Sequence, residues 1–131
     1  LHDALPIWHE GKEDGTMQIE NGTLEPETVM SVRNELHYRK NSVVARALLQ
    51  VSTGTVDIMA FDQGLGITQH VLGLDALVLV LEGNLEIVIS SETHLLESED
   101  VFLIPAGKVH SMKAQSPTKI ILVTFKETAP D

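Results

Sequence analysis

The chain has no cysteine among its 131 residues. Disulfides, zinc knuckles and thiol nucleophiles are thereby excluded, and a reducing compartment is compatible with the composition. Basic residues are scarce as well: 9 Lys+Arg against 19 Asp+Glu give a formal net charge of -10. Such a charge repels nucleic-acid phosphates and anionic lipid, so neither nucleic acid nor a membrane is an expected partner. Long apolar runs are missing too. The longest, Ala76–Leu81, falls far short of the roughly 20 residues a membrane helix needs. No basic start leads into an apolar stretch with a small-residue cleavage site, so the expected location is cytoplasmic. No serine is flanked like a nucleophile elbow, and no phosphate-binding glycine loop is present. Gly64-Leu65-Gly66 reads as a turn, because no helical pattern follows it.

What remains is 43% apolar, enough for a real core, in a chain whose length suits one domain. The first residues, Leu1–Ile7, look like an in-frame translation of a sequencing adaptor, so no role is given to His2, Trp8 or His9. The expected organisation is an artefactual or disordered leader over 1–16, an N-terminal arm with a short helix over 17–42, a barrel over 43–126 and a tail over 127–131. Residues 8–25 are polar and glycine-containing and read as a loose lead-in. Pro26 suits the first residue of a short helix, and Val29, Val32 and Leu36 recur at helical spacing.

From Val43 the period changes. Short segments rich in valine, isoleucine and leucine follow: Val43–Val51, Thr55–Asp62, Ile67–His70, Ala76–Glu82, Leu85–Ser90, Thr93–Leu96, Val101–Ile104, Val109–Ala114 and Lys119–Phe125. Turn residues separate them, among them Ser52-Thr53-Gly54, Gly83-Asn84 and Pro105-Ala106-Gly107. Short strands at such spacing, with no helix between them, predict an all-β sandwich or barrel rather than a parallel sheet. Ala76–Leu81 and Ile120–Val123 do not alternate with polar residues, although a strand with one wet face should. This predicts a second covered face, read here as a homodimer contact; the other reading is that both faces lie inside one monomer.

Two blocks carry a family resemblance. The first is GLGITQHVLGLDALVLVLEG, residues 64 to 83; the second is EDVFLIPAGKVHSMKA, residues 99 to 114. From Val43 to Phe125 the chain resembles a small single-domain, conserved-barrel cupin. The resemblance implies a jelly-roll (double-stranded β-helix) barrel preceded by a short helical or irregular segment. In the family's first motif a glycine, a His-x-His, a glutamate and a glycine recur at fixed spacing. Gly64 and Gly83 fit the glycines and His70 the first histidine. Leu72 stands at the second histidine and Ala76 at the glutamate. In the second motif Pro105, Gly107 and His110 fit, while Glu99 stands where a glycine is usual and Ala114 where an asparagine is usual.

Side-chain alternation puts His110, Met112 and Ala114 on one face, the less polar and hence the inward one. If the barrel closes as the resemblance implies, His70 and His110 converge on one cavity, where they could hold a divalent ion (Mn, Fe, Ni, Cu or Zn). Only two of the pattern's four ligands survive, whereas a mononuclear oxygenase site asks for two histidines and a carboxylate. Asp75 and Gln69 are candidate substitutes, but a shift of one residue along a strand changes the face, so either needs a bulge. Gln69, Leu72, Ala76 and Met112 are the expected pocket residues, and Leu72 and Ala76 make that pocket more apolar. His94 is expected at the surface, His37 likewise, Met59 and Phe61 in the core, and Arg46 in a rim salt bridge.

The leading functional expectation is a small-molecule-binding cupin, with or without metal. The alternative is a metal-dependent oxygenase or isomerase acting on a small organic substrate. The sensor half of a transcription factor ranks last, because the acidic N-terminal segment is too short for a DNA-binding domain.

Overall fold

The computed structural model describes residues 12–13, 16–70 and 73–126, with side chains from Met17 onward except those of 68–70. Most of the expected leader, the tail at 127–131 and the expected pocket residue Leu72 lie outside the described residues.

The apolar alternation folds as its period demands. Strands run over β1 Lys12–Glu13, β2 Thr16–Glu20, β3 Ser42–Val51, β4 Gly54–Phe61, β5 Gly66–His70 and β6 Asp75–Glu82. They continue with β7 Asn84–Ile89, β8 Glu92–Glu97, β9 Val101–Ile104, β10 His110–Ala114 and β11 Thr118–Phe125. The strands expected from Val43 onward all form, with ends displaced by a residue or two. They build two facing sheets, β1-β5-β10-β7-β8 and β2-β3-β4-β11-β6-β9. From β4 on, every connection except the β7–β8 hairpin crosses from one sheet to the other, so the architecture is a jelly roll. The two sheets are not hydrogen-bonded into a closed cylinder.

Two parts of the N-terminal region depart from expectation. The lead-in is not wholly loose: β2 pairs in parallel with β3, and β1 covers the β5 edge of the other sheet. The helix is a single turn, α1 Val32–Glu35, rather than one starting at Pro26. Glu27 has φ 61°, which breaks helical geometry, and Val29 is 98% exposed. What recurs at helical spacing is used differently: Met30, Val32, Leu36 and Tyr38 pack on the outer face of the larger sheet. Polar contacts fasten this arm. Tyr38 donates to Glu82 Oε2 (2.6 Å), Lys119 Nζ to the Arg33 carbonyl (2.6 Å), and Arg33 to the Leu81 carbonyl (2.8 Å). Burial and the Glu82 carboxylate push the Tyr38 phenol above its ordinary range, so it stays a donor. Arg46 pairs with Glu35 and with the Gly22 carbonyl, tying the arm to β3.

The core lies between the sheets. Met59, Phe61, Val80, Leu85, Ile87 and Ile120 belong to its largest buried cluster. The flanking glycines of the first motif have backbone reasons. Gly64 and Gly83 have φ 82° and 93°, and a Cβ at Gly83 would lie 2.3 Å from the Pro117 carbonyl oxygen. Among the described residues no helix is long and apolar enough to cross a membrane.

The outer face of the larger sheet is divided. Its β3 and β4 side, with Leu81, is covered by the arm. Beyond that, register aligns Leu103, Leu77, Val123, Val56 and Leu49 in one apolar row across five strands. Leu103 is 53% and Leu49 50% exposed, and neighbouring Val101 is 57% exposed. One end of the row opens into a shallow groove of about 150 Å³ lined by Leu49, Val51, Val56, Val123 and Phe125.

Candidate functional site

The inner polar residues collect at one end. Every strand of the jelly roll passes between two ends, and turns at Asp62–Leu65, Gly83 and Gln115–Pro117 mark the first. There the inner face is apolar, apart from Thr118. Its hydroxyl is fully employed, accepting from the Asn84 backbone N–H and approaching the carbonyls of Asn84 and Ser116. The second end, which we term the mouth, holds the starts of β6 and β10 and the ends of β5, β7 and β11.

His110 enters the mouth from β10. Pro105, Ala106 and Gly107 turn the chain, with φ 80° at Gly107, and β10 starts at His110 itself. Its side chain alternates in phase with Met112 and Ala114, both core residues, so it faces inward and is only 2% exposed. Its Nδ1 lies 3.2 Å from the Lys108 carbonyl oxygen. A carbonyl only accepts, so Nδ1 carries the hydrogen and Nε2 of the neutral ring carries the lone pair. Burial pulls the His110 pKa below its ordinary value, partly offset by that hydrogen bond, which keeps the ring neutral near pH 7.

His70 stands in the same row. In the register of β5 with β10, His70 is directly opposite His110, and Ile67 is opposite Met112. Three steps on β5 therefore match two on β10, which is a β-bulge at residues 68 and 69. Without it, strict alternation would bring Gln69 opposite His110. The sequence argument asked for a bulge so that Gln69 or Asp75 could reach the inner face; the bulge present sets the His70 backbone opposite His110. Across the other edge of β10, Ile89 is opposite His110. The side chains of Gln69 and His70 lie outside the described residues.

The remaining expected positions are clear. Ala76 and Met112 are buried, at 0% and 2% exposure, and belong to the inner core cluster. Asp75 is not a substitute for the motif's glutamate: its Oδ1 accepts the Ala106 N–H at 2.8 Å, which fixes the turn before His110. His94 is not a plain surface residue. It is half-buried, its ring 4.8 Å from that of Phe102 where the edges of the two sheets meet. His37 is exposed, as expected.

The larger sheet contributes residues that the sequence argument passed over. On β4, Thr55 and Asp57 alternate in phase with Met59 and Phe61 and so face inward. On β11, Thr124 follows Ile120 and Leu122 on the same face. Register places Ala76, Thr124 and Thr55 side by side across β6, β11 and β4. The hydroxyls of Thr55 and Thr124 are 2.7 Å apart, and Thr55 donates to Asp57 Oδ2 at 3.2 Å. Asp57 is 0% exposed and Thr124 1%. The signal was present in the sequence, as a carboxylate in phase with Met59 and Phe61.

A small jelly-roll barrel with one apolar end and one polar, histidine-bearing end is the class these features define. The family model for the cupin domain matches residues 58–125, more than half of the chain. The chain belongs to the cupin domain family. Solved structures agree. A conserved protein of unknown function from Streptococcus pyogenes is 27% identical, with a TM-score of 0.76, over 82% of this chain and 95% of that one. A cupin superfamily protein from Desulfitobacterium hafniense DCB-2 is 24% identical, with a TM-score of 0.75, over 81% of this chain and 97% of its own. Salicylate 1,2-dioxygenase from Pseudoaminobacter salicylatoxidans shares the fold at 18% identity and TM-score 0.59, over 63% of this chain and 26% of that enzyme. No curated protein matches significantly.

Cupins commonly hold a metal. At the motif positions this chain offers His70 and His110, but Leu72 and Ala76 bring no donor atom. Two imidazoles alone fall short of what a divalent first-row ion requires. The motif positions by themselves therefore do not fit the ion.

Proposed function

We propose that this cupin binds a small organic molecule in the barrel mouth, between the His110 and His70 row and the Thr55, Asp57 and Thr124 cluster. The observation that carries the reading is the segregation of inward polar side chains to one end of an otherwise apolar barrel. Stability alone gains nothing from placing an imidazole, a carboxylate and two hydroxyls there. A cleft lined by apolar walls with a few convergent polar groups is the general form of a small-molecule site. The buried apolar residues beside that row are Ile89, Ala76, Ile104 and Met112.

The test is a thermal-shift screen of small organic acids, amines and sugars against the metal-free, untagged protein and its His110→Leu variant. A ligand at a hundred times its dissociation constant adds about 2.7 kcal/mol of stability, a shift of several degrees. We expect such shifts in the wild type and their loss in the variant. Shifts of equal size in both proteins, or none in the wild type, contradict the reading. A metal-dependent oxygenase or isomerase would use the same mouth.

The protein further acts, on our reading, as a homodimer joined through the apolar row of the larger sheet's outer face. Leu103, Leu49 and Val101 are each at least half exposed along this face, and a contiguous exposed apolar patch marks an interaction surface. A chain carrying a net charge of -10 approaches its own copy most easily through an uncharged face, and this row is uncharged. Leu103→Glu places like charges across a two-fold contact. Sedimentation should show a dimer for the wild type and a monomer for the variant; a monomeric wild type contradicts the assignment.

A further inference from the structure

We propose that a hollow at the end remote from the mouth, where β7, β8 and the loop after β10 meet, binds an aliphatic ammonium, a primary amine carried on a short hydrocarbon chain. This second, weaker site is separate from the mouth and does not depend on what the mouth takes.

Register sets the site. On β8, Leu95 and Glu97 alternate with buried Leu96 and so face outward, and Leu95 is 70% exposed. Asn84, the first residue of β7, is opposite Glu97. The pairing of β10 with β7 ends at Ala114 opposite Leu85, and the Gln115 N–H then donates to the Asn84 carbonyl at 2.9 Å. Gln115, Asn84 and Glu97 are thus neighbours across adjoining strand ends, and all are exposed. Opposed residues of an antiparallel pair have Cβ atoms about 4.5–5.5 Å apart, so one small group can reach both side chains of such a pair. Together with Leu85, Leu95 and Leu96 these residues line a hollow of about 460 Å³. That volume falls among small-molecule sites, roughly 300–1,000 Å³, whereas the groove beside Phe125 falls below them.

Charge and hydrogen-bonding inventory name the occupant. No lining residue is cationic, and Glu97 brings a carboxylate. None of the ion pairs among the described residues involves it. The Glu97 N–H donates to Asp100 Oδ2 at 2.8 Å, so a second carboxylate stands close by. An anion is repelled from such a place, and a neutral polyol leaves the Glu97 charge uncompensated. An ammonium has three N–H donors and no acceptor. The hollow answers with the Glu97 carboxylate and the carboxamide oxygens of Asn84 and Gln115. Asn84 Oδ1 accepts from Ser116 Oγ at 3.0 Å, which orients the amide and leaves the oxygen a second lone pair. Leu95 offers the hydrocarbon chain an apolar surface to cover. An exposed ion pair and one partly covered leucine support an affinity of about millimolar order. Binding that weak adds far less stability than the shifts sought for the mouth, which keeps the two tests apart.

The test follows the side-chain amides of Asn84 and Gln115 and the Leu95 methyls by NMR. Pentylammonium is added to the full chain at low ionic strength, with methylammonium, pentanol and pentanoate as comparisons. We expect saturable shifts at all three residues with pentylammonium, weaker binding of methylammonium, and no binding of pentanoate. Glu97→Gln should weaken pentylammonium binding about fivefold. Glu92→Gln, the same change of charge at the other end of β8, should leave it unaltered. Leu95→Ser should reduce pentylammonium to the affinity of methylammonium. These β8 side chains are all exposed, so the variants keep the fold. Pentanol bound as tightly as pentylammonium overturns the proposal and leaves a merely apolar hollow. Equal weakening by Glu92→Gln and Glu97→Gln also overturns it, because the attraction is then the diffuse field of an acidic surface. So does a titration in which the three residues do not shift. His110→Leu should bind pentylammonium as the wild type does; loss of binding there means that the amine enters the mouth, which overturns this proposal and supports the mouth reading.

Discussion

The two ends of this barrel are built from the same strands and differ in what their inner faces carry. Toward the apolar end β4 presents Phe61 and Met59, β11 presents Ile120, and β7 presents Leu85, all buried. Toward the mouth the same β4 presents Thr55 and Asp57, β11 presents Thr124, and β10 presents His110. One strand thus changes character along its length without changing its period. Apolar burial at the first end supplies stability, at about 25 cal/mol per Å² removed from water. That leaves the mouth free to hold groups that stability alone would not select.

The contrast predicts a gradient of effects. The largest lies at the apolar end: Phe61→Ala leaves a cavity in the core and should cost about 3–5 kcal/mol in urea unfolding, enough to unfold a marginal domain. Thr124→Val, at the mouth, removes the hydroxyl that meets Thr55 but keeps the shape. It should cost about 1 kcal/mol or less while weakening ligand binding. If Thr124→Val destabilises as much as Phe61→Ala, the two ends are not distinct in the way described.

A third prediction concerns pH. Burial holds the His110 pKa below its ordinary 6.5, so the unfolded chain takes up a proton more readily than the folded one. The neutral ring's contribution is fully present above pH 6.5 and is lost as pH falls from there through the lower folded value. In metal-free protein the stability difference between wild type and His110→Gln should therefore shift against the wild type between pH 7 and pH 5. A difference that moves in the wild type's favour on acidification contradicts the buried, neutral assignment.

The smallest effect is expected away from both ends. Glu99 has φ 75°, the left-handed region, at the position where the second motif usually has glycine. Glu99→Gly should raise stability by about 0.5–1 kcal/mol, since glycine adopts that conformation without strain. No gain would mean that the turn, whose Glu99 N–H donates to the Val80 carbonyl, tolerates the side chain at no cost.

Much of this was legible in the sequence because the signals were local. Strands from Val43 onward are bounded by turns and carry period-two patterning, so both the fold and the inward face of His110 follow from neighbours in sequence. The N-terminal strands were not legible. The β2 strand forms because a free edge of β3 accepts it in parallel, a partner more than twenty residues away. Val29 at helical spacing misled for a related reason, since what organises the arm is the outer face of β3 and β4. The match of His70 to His110 depends on a bulge at 68 and 69, which no propensity announces. Asp57 was overlooked because a single charge in Thr55–Phe61 reads as an outward residue until the face of Met59 and Phe61 is fixed.

The central claim is that the mouth, and not the surface, receives the ligand. Long-range ¹H–¹⁵N spectra of the histidine rings test it directly, recorded while a stabilising compound from the screen is added. The account predicts that the ring nitrogens of buried His110 shift in proportion to occupancy while those of exposed His37 stay fixed. A compound that stabilises the fold yet leaves the His110 ring unmoved would contradict it.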